Sequence, residues 1–311
     1  MYTALDAEFS QPVFHDFARE TGVEVQAKFD TESTKTVGLA QAILAESARA
    51  RCDVFWNNEI LNTLRLEREG LLAVYRSRAA ESYPELYRSP DGFWHGFAAR
   101  ARVLLVNTKL VPEDQRPQSV LDLADARWQG RCAMAKPLFG TTATHAACLF
   151  AVWSDERAKD FFDRVKANQV QILSGNKQVA RSVARGKLAF GITDTDDAVI
   201  EVQEGRPVAL VYPDQGADGL GTLFIPNTVA IVKGAPNAES ARRLVDYLLS
   251  PEVEAKLAAC PSAQIPLNPK CLAKPQVETP RTKRAMQVDF RKAAEKWDTA
   301  REYLTERFTG G

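Results

Sequence analysis

"GKLAFGITDTDDAVIEVQEG", residues 186–205, runs an apolar stretch straight into three aspartates within four positions. Leu188 to Ile192 is short, largely apolar and preceded by Gly186, which reads as a buried strand. Asp194, Asp196 and Asp197 then fall where that strand ends and a helix begins. A strand handing polar residues to the start of a helix is the repeating unit of an α/β sheet. Ligands of such sheets gather beyond the carboxyl ends of the strands, where helix N-termini present unpaired N–H groups.

The same unit recurs on both sides of that stretch. Residues 1–5 are strand-like, Ser10 caps a helix with Pro12 in its first turn, and Gly22 stops it. "VEVQAKF" (23–29) alternates as a half-buried strand does, and Val37, Ala40, Ile43, Leu44 and Ala48 share one face of a helix over 36–51. "DVFW" (53–56) is a strand, with Asn57 or Asn58 capping the helix that carries Ile60, Leu61 and Leu64; "RVLLVN" (102–107) is another strand. A second block begins with a strand at 132–135 and continues through helices ending at Val152 and spanning 155–167, with a capped helix over 174–186. "TVAIVKG" (228–234) is strand, followed by a helix around Leu244 to Leu248, and residues 281–308 are expected to be largely helical. No repeat, low-complexity tract or Gly/Ser linker separates the blocks, so two lobes joined by short strands are expected.

Composition narrows the function classes. A chain of 311 residues has room for about two domains. Its 40 Lys and Arg match its 40 Asp and Glu, so no net field selects for nucleic acid or an anionic membrane. No apolar run approaches the ~20 residues needed to span a bilayer, and no basic-then-apolar signal peptide is present. A start Met in place of a removed leader and a cytosolic start fit the sequence equally. Five cysteines show no CxxC and no zinc spacing. Cys52, Cys132 and Cys148 read as buried thiols, whereas Cys260 and Cys271 bracket "CPSAQIPLNPKC", where a disulfide would suit an oxidising compartment.

Five polar clusters follow strands: Asp6 and Glu8; Thr31 to Thr36; Asn57, Asn58 and Glu59; Lys136 to His145; and Asp194 to Asp197. Any one could be a helix cap, but five together favour a polar cleft. Gly140, Thr141 and Thr142 at a helix start offer N–H and hydroxyl donors to an oxyanion, and no GxxxxGK[ST] marks a nucleotide loop. The aspartates fail as an EF-hand, because Val199 falls at the glycine position and Gly205 at the bidentate Glu. They come closer to a phosphatase-type D-x-D-x-[TV], with Asp194 as nucleophile and Asp196 as acid, although Ala198 replaces the Thr or Val. As oxygen donors they also suit a hard cation, and one of them could simply favour a helix dipole. His15 and His95 suggest no chemistry, while His145 lies near the Gly-Thr-Thr turn with helix packing as its expected role. Phe55, Trp56, Phe93 and Trp94 read as core or cleft wall.

Taken in order, "YTALDAEF", "CDVFWNNE" (52–59), "ARARVLLVNTKL" (99–110), "GKLAFGITDTDDA" (186–198) and "AQIPLNP" (263–269) resemble the periplasmic solute-binding proteins of ABC importers, in the ferric-ion-binding branch of extracellular solute-binding family 1, over nearly the whole chain. The resemblance implies a two-lobed type II periplasmic-binding-protein fold, α/β, each lobe a mostly parallel sheet flanked by helices. It implies an N-lobe of 1–101 plus 229–280, a C-lobe of 102–228 plus 281–311, hinge strands near 100 and 228, and closure on a solute between the lobes. A ferric ion or other hard cation, with or without a synergistic anion, is the implied cargo, carried by an exported monomer to a permease without catalysis or a resident cofactor. The branch's two adjacent tyrosines fall on Asp196 and Asp197, its N-terminal His on Asp6, and its Glu on Asn58 with Glu59 one residue on. The implied metal ligands are therefore Asp6, Glu59, Asp196 and Asp197; Gly140, Thr141, Thr142, Asn176 and Arg100 match the anion positions, and Asn58 and Asp194 complete the ligand set. A related branch binds phosphonates or other phosphorylated organic anions, which the same anion loop would serve. A metal-dependent phosphatase using Asp194 and Asp196, and a binding module without a transport role, remain as alternatives.

Overall fold

The computed structural model describes residues 1–30 and 36–308, so Thr31 to Lys35 of the second polar cluster lie outside the described residues. The first part of the chain forms β1 (Tyr2–Thr3), α1 (Ala7–Thr21), β2 (Lys28–Phe29), α2 (Val37–Ala45), β3 (Val54–Asn57), α3 (Leu61–Arg68), β4 (Leu72–Ala73) and β5 (His95–Asn107). Next come β6 (Cys132–Ala135), α4 (Gly140–Val152), α5 (Asp155–Ala167), β7 (Gln171–Leu173), α6 (Asn176–Ala184), β8 (Phe190–Asp194), α7 (Thr195–Gln203) and β9 (Val208–Val211). The remainder forms β10 (Phe224–Val232), α8 (Ala238–Leu248), α9 (Pro251–Ala259), α10 (Phe290–Glu295) and α11 (Trp297–Phe308). The chain divides into two compact units, Met1–Arg100 with Ile225–Gln276 and Ala101–Phe224 with Val277–Gly311, each assembled from two separate segments.

In the first unit β1 pairs in parallel with β2 and β3, and β10 runs antiparallel against β3 and β4. Trp56 on β3 is fully buried and centres the core, with Phe14 of α1 edge-on at 5.8 Å and Phe97 of β5 at 5.2 Å. Two local expectations shift here. Helix α1 starts at Ala7, one turn before Ser10, whose hydroxyl instead turns back to the carbonyl of Asp6 at 3.0 Å. The alternating run 23–29 yields only the two-residue β2, because its one parallel neighbour, β1, is itself two residues long.

A buried carboxylate knits the later part of this unit together. Glu254 on α9 has no solvent exposure and accepts from the backbone N–H groups of Ala98 (2.7 Å), Leu267 (3.0 Å) and Asn268 (2.6 Å). Burial pushes its pKa upward, against the opposing pull of those three donors. Cys260 and Cys271, between which the sequence left a disulfide open, are free thiols. Cys260 Sγ is engaged locally, with the Leu257 carbonyl at 3.1 Å and the Ser262 hydroxyl at 2.9 Å.

In the second unit β6 pairs in parallel with β7 and β8, and β5 runs antiparallel against β8 and β9. Helices α4 and α5 match the expected ranges, with Ser154 accepting from the Arg157 N–H to cap α5. Phe190 of β8 packs edge-on to Trp128 at 5.2 Å, and Phe161 and Phe162 of α5 fill the space beneath α4. The C-terminal helices pack on α4 and α5, but residues 281–289 are not helical; Asp289 caps α10 by accepting from the Arg291 and Lys292 N–H groups. Among the described residues no helix is long and apolar enough to cross a membrane.

Helix α6 approaches β8 closely at Gly191, where an added Cβ would lie 2.4 Å from Val179 Cγ1 and 3.1 Å from the Ala133 carbonyl oxygen. Gly191→Ala is expected to destabilise the protein by about 1–3 kcal/mol through overpacking, measured as a lowered midpoint in denaturant unfolding. Glu254→Gln would set an amide donor against backbone donors, and the same measurement should show a loss of about 1–3 kcal/mol.

Candidate functional site

The second unit gathers the chemistry at the carboxyl ends of its three parallel strands. Strands β6, β7 and β8 end at Ala135, Leu173 and Asp194, and α4, α6 and α7 begin shortly after at Gly140, Asn176 and Thr195. Gly140 has φ +56°, a left-handed conformation that costs glycine little and lets the chain turn sharply into α4. None of these three helices has a side-chain cap from its N-cap residue. Their first-turn N–H groups and dipoles favour negative charge at this edge of the sheet.

The register of β5 against β8 decides what fills that place. It sets Arg102 directly opposite Asp194, and the two form an ion pair at 2.6 Å with side-chain exposures of 0% and 4%. Arg102 Nη1 also donates to Thr141 Oγ1 at 3.2 Å and Asn176 Oδ1 at 3.1 Å, and Nη2 donates to Thr142 Oγ1 at 3.2 Å. The other Asp194 oxygen accepts from the Thr141 hydroxyl at 2.5 Å and the Asn176 amide at 3.0 Å. The Thr142 hydroxyl closes the ring on Asn176 Oδ1 at 3.2 Å. A buried guanidinium and a buried carboxylate thus neutralise each other while binding the starts of two helices.

Asp196 and Asp197 continue from Asp194 into the first turn of α7, where carboxylates are favoured by the helix dipole. One carboxylate oxygen from each of the three aspartates lies within 4.8 Å of the others, with Asp194 buried and the other two half-buried. This donor set, all oxygen and all anionic, fits a hard cation. It does not fit a phosphatase nucleophile, because both Asp194 oxygens already accept strong hydrogen bonds and the residue is 3% exposed.

The sequence-expected site residues divide between the two units. Gly140, Thr141, Thr142, Asn176, Asp194, Asp196 and Asp197 belong to the second, and Asp6, Asn58, Glu59 and Arg100 to the first. Within the first unit Asp6 occupies the N-cap position of α1, and Asn58 donates to the Ala4 carbonyl at 3.2 Å. Glu59, expected as a metal ligand, has no solvent exposure and serves the start of α3. Its oxygens accept from the N–H groups of Leu61 (2.5 Å) and Asn62 (3.0 Å) and from the Asn57 amide (2.9 Å). The capping expected of Asn57 or Asn58 is therefore done by the adjacent acid, whose two oxygens reach two orphan donors at once. Arg100, expected beside the anion loop, donates to Asn227 Oδ1 at 3.3 Å. The arginine bonded to Thr141 and Thr142 is Arg102, which sequence reasoning missed. Its signal was a charge opening the apolar run "RVLLVN", since a cation in a buried strand needs a buried partner.

The architecture is that of the type II periplasmic binding proteins. Iron-bound HitA from Pseudomonas aeruginosa superposes with a TM-score of 0.88 at 23% identity, covering 97% of each chain. AfuA from Actinobacillus pleuropneumoniae, solved with exogenous fructose-6-phosphate bound, gives 0.87 at 22% identity, covering 100% of this chain and 98% of that one. The family of bacterial extracellular solute-binding proteins matches residues 63–293, and the chain belongs to that family. Iron uptake protein A1 of Synechocystis sp. is 27% identical over 271 residues, which are 83% of this chain and 72% of that protein.

Removing one member of the Arg102–Asp194 pair strands the other in a buried place. Arg102→Met is expected to cost about 3–5 kcal/mol, read from denaturant unfolding. Restoring neutrality with Arg102→Met/Asp194→Leu should recover part of that loss.

Proposed function

We propose that this chain is the solute-capturing component of an ABC importer, working outside the cytoplasmic membrane as a monomer and handing its cargo to a permease without chemical turnover. The cargo carries positive charge, with a hard metal ion such as ferric iron as its leading identity. The observation that carries this reading is the Asp194, Asp196 and Asp197 group, whose carboxylate oxygens converge within 4.8 Å at the start of α7. Arg102 adds no net attraction for an anion there, because Asp194 opposes it at 2.6 Å. Asp196 and Asp197 add negative charge in the next turn. The names of the Synechocystis relative and the Pseudomonas structure, an iron uptake protein and an iron-bound protein, agree with such a cargo. Phenolate ligands are absent from the three positions, so the iron complex would lack the visible phenolate-to-iron absorption band.

A second reading, capture of a phosphorylated organic anion, is favoured by the Thr141 and Thr142 hydroxyls around Arg102 at the start of α4. The sugar phosphate in the AfuA structure is in keeping with it. It ranks second because a phosphate joining this network would have to displace the Asp194 carboxylate or lie beside it, at a cost of several kcal/mol.

Elemental analysis and native mass spectrometry of protein purified without chelator test the choice. Wild type is expected to carry stoichiometric metal, and Asp196→Asn/Asp197→Asn to bind it at least about tenfold more weakly, a loss of ~1.4 kcal/mol. The cation reading is sunk by metal-free wild type that fructose 6-phosphate stabilises against heat equally well in the double variant.

A further inference from the structure

Beside Arg102 lies a small space whose walls are mostly apolar, including Leu123, Met134, Leu149, Phe161, Phe162 and Ile192. Three polar residues also line it: Arg102 from β5, and Thr142 and His145 from α4. Two of their atoms are buried without a protein partner, Arg102 Nε and His145 Nε2. Nη1 of Arg102 donates to Asp194, Thr141 and Asn176 and Nη2 to Thr142, while the Nε–H is buried with no protein acceptor. Burial, with the Arg102 charge as the second cause, pushes the His145 imidazole down to about 3. The ring is therefore neutral at ordinary pH, with one nitrogen free to accept.

An unmet donor and an unmet acceptor in one apolar hole each carry a desolvation cost unless something joins them. The hole has about 20 Å³ of room for a water-sized sphere. One water needs roughly 10–15 Å³ of such room and two to four polar partners.

We infer that a single buried water bridges Arg102 and His145, accepting from Arg102 Nε–H and donating to His145 Nε2, with Thr142 Oγ1 as its third partner. His145 is then a positioning residue. Through the water it holds the guanidinium at its Nε–H, and so sets the plane in which Arg102 meets Thr141, Thr142 and Asn176. The bridge concerns the site's own framework and does not depend on which solute the protein takes.

A crystal structure of the wild-type protein should show one water peak about 2.7–3.2 Å from both nitrogens. In solution, Arg102 Hε should give a cross-relaxation peak to a long-lived water. His145 Nε2 should keep the shift of an unprotonated acceptor from about pH 5 to about pH 8, where an ordinary histidine titrates. His145→Leu should abolish the water peak and move the Arg102 Hε resonance, and His145→Gln, whose carbonyl can accept, should restore both. An empty cavity, a bromide anomalous peak in its place, a protonated His145 Nε2, or an Arg102 Hε resonance indifferent to His145→Leu would each overturn the bridge. If His145→Leu does not fold, the wild-type structure and spectra decide.

Discussion

A guanidinium with no solvent exposure has to be neutralised where it lies, and in the second unit that requirement reaches three helices at once. Arg102 sits on β5 opposite Asp194 on β8, and around the pair close Thr141 and Thr142 of α4 and Asn176 of α6. Asp194 is also the residue from which α7 starts. One ion pair therefore ties the carboxyl ends of the strands to the helices that follow them. Breaking it costs more than its net worth, because the survivor stays buried.

Buried acids do different work in the two units. Glu254 and Glu59 in the first are consumed by backbone N–H groups, three for Glu254 and two for Glu59, and act as structural joints. Asp194 in the second is met by a cation and two side chains, and it heads a run of carboxylates that extends into half-exposed positions. The difference lies in the donors. Backbone donors fix a chain path and cannot be released without unfolding it, whereas Asp196 and Asp197 sit half-buried on a first helical turn, where the helix dipole favours their charge.

Much of the architecture was legible in the chain. The strand at 132–135 and the helices at 140–152 and 155–167 follow from short apolar runs, a Gly-Thr turn and a Ser cap, all local signals. The run expected as a strand over Leu188 to Ile192 forms β8 two residues later, at Phe190–Asp194, and hands over to α7. Where local pattern misled, a neighbour was responsible: β2 is cut short by the length of β1, and Ser10 yields its capping position because α1 begins at Ala7.

The sequence by itself determined the alternation of strands and helices, the family likeness, and the placement of polar clusters after strands, because each depends on periodicity over a few residues. Only the tertiary structure decided which of two arginines, Arg100 or Arg102, meets the threonines, and that Glu59 is spent on a helix start. The first outcome depends on register between segments 92 residues apart, Arg102 and Asp194, whereas Glu59 is spent on donors two and three residues away. Arg100 and Arg102 lie two residues apart and share one face of β5, so a two-residue shift in the ladder separates the two choices, and no local signal along the chain records which register is taken.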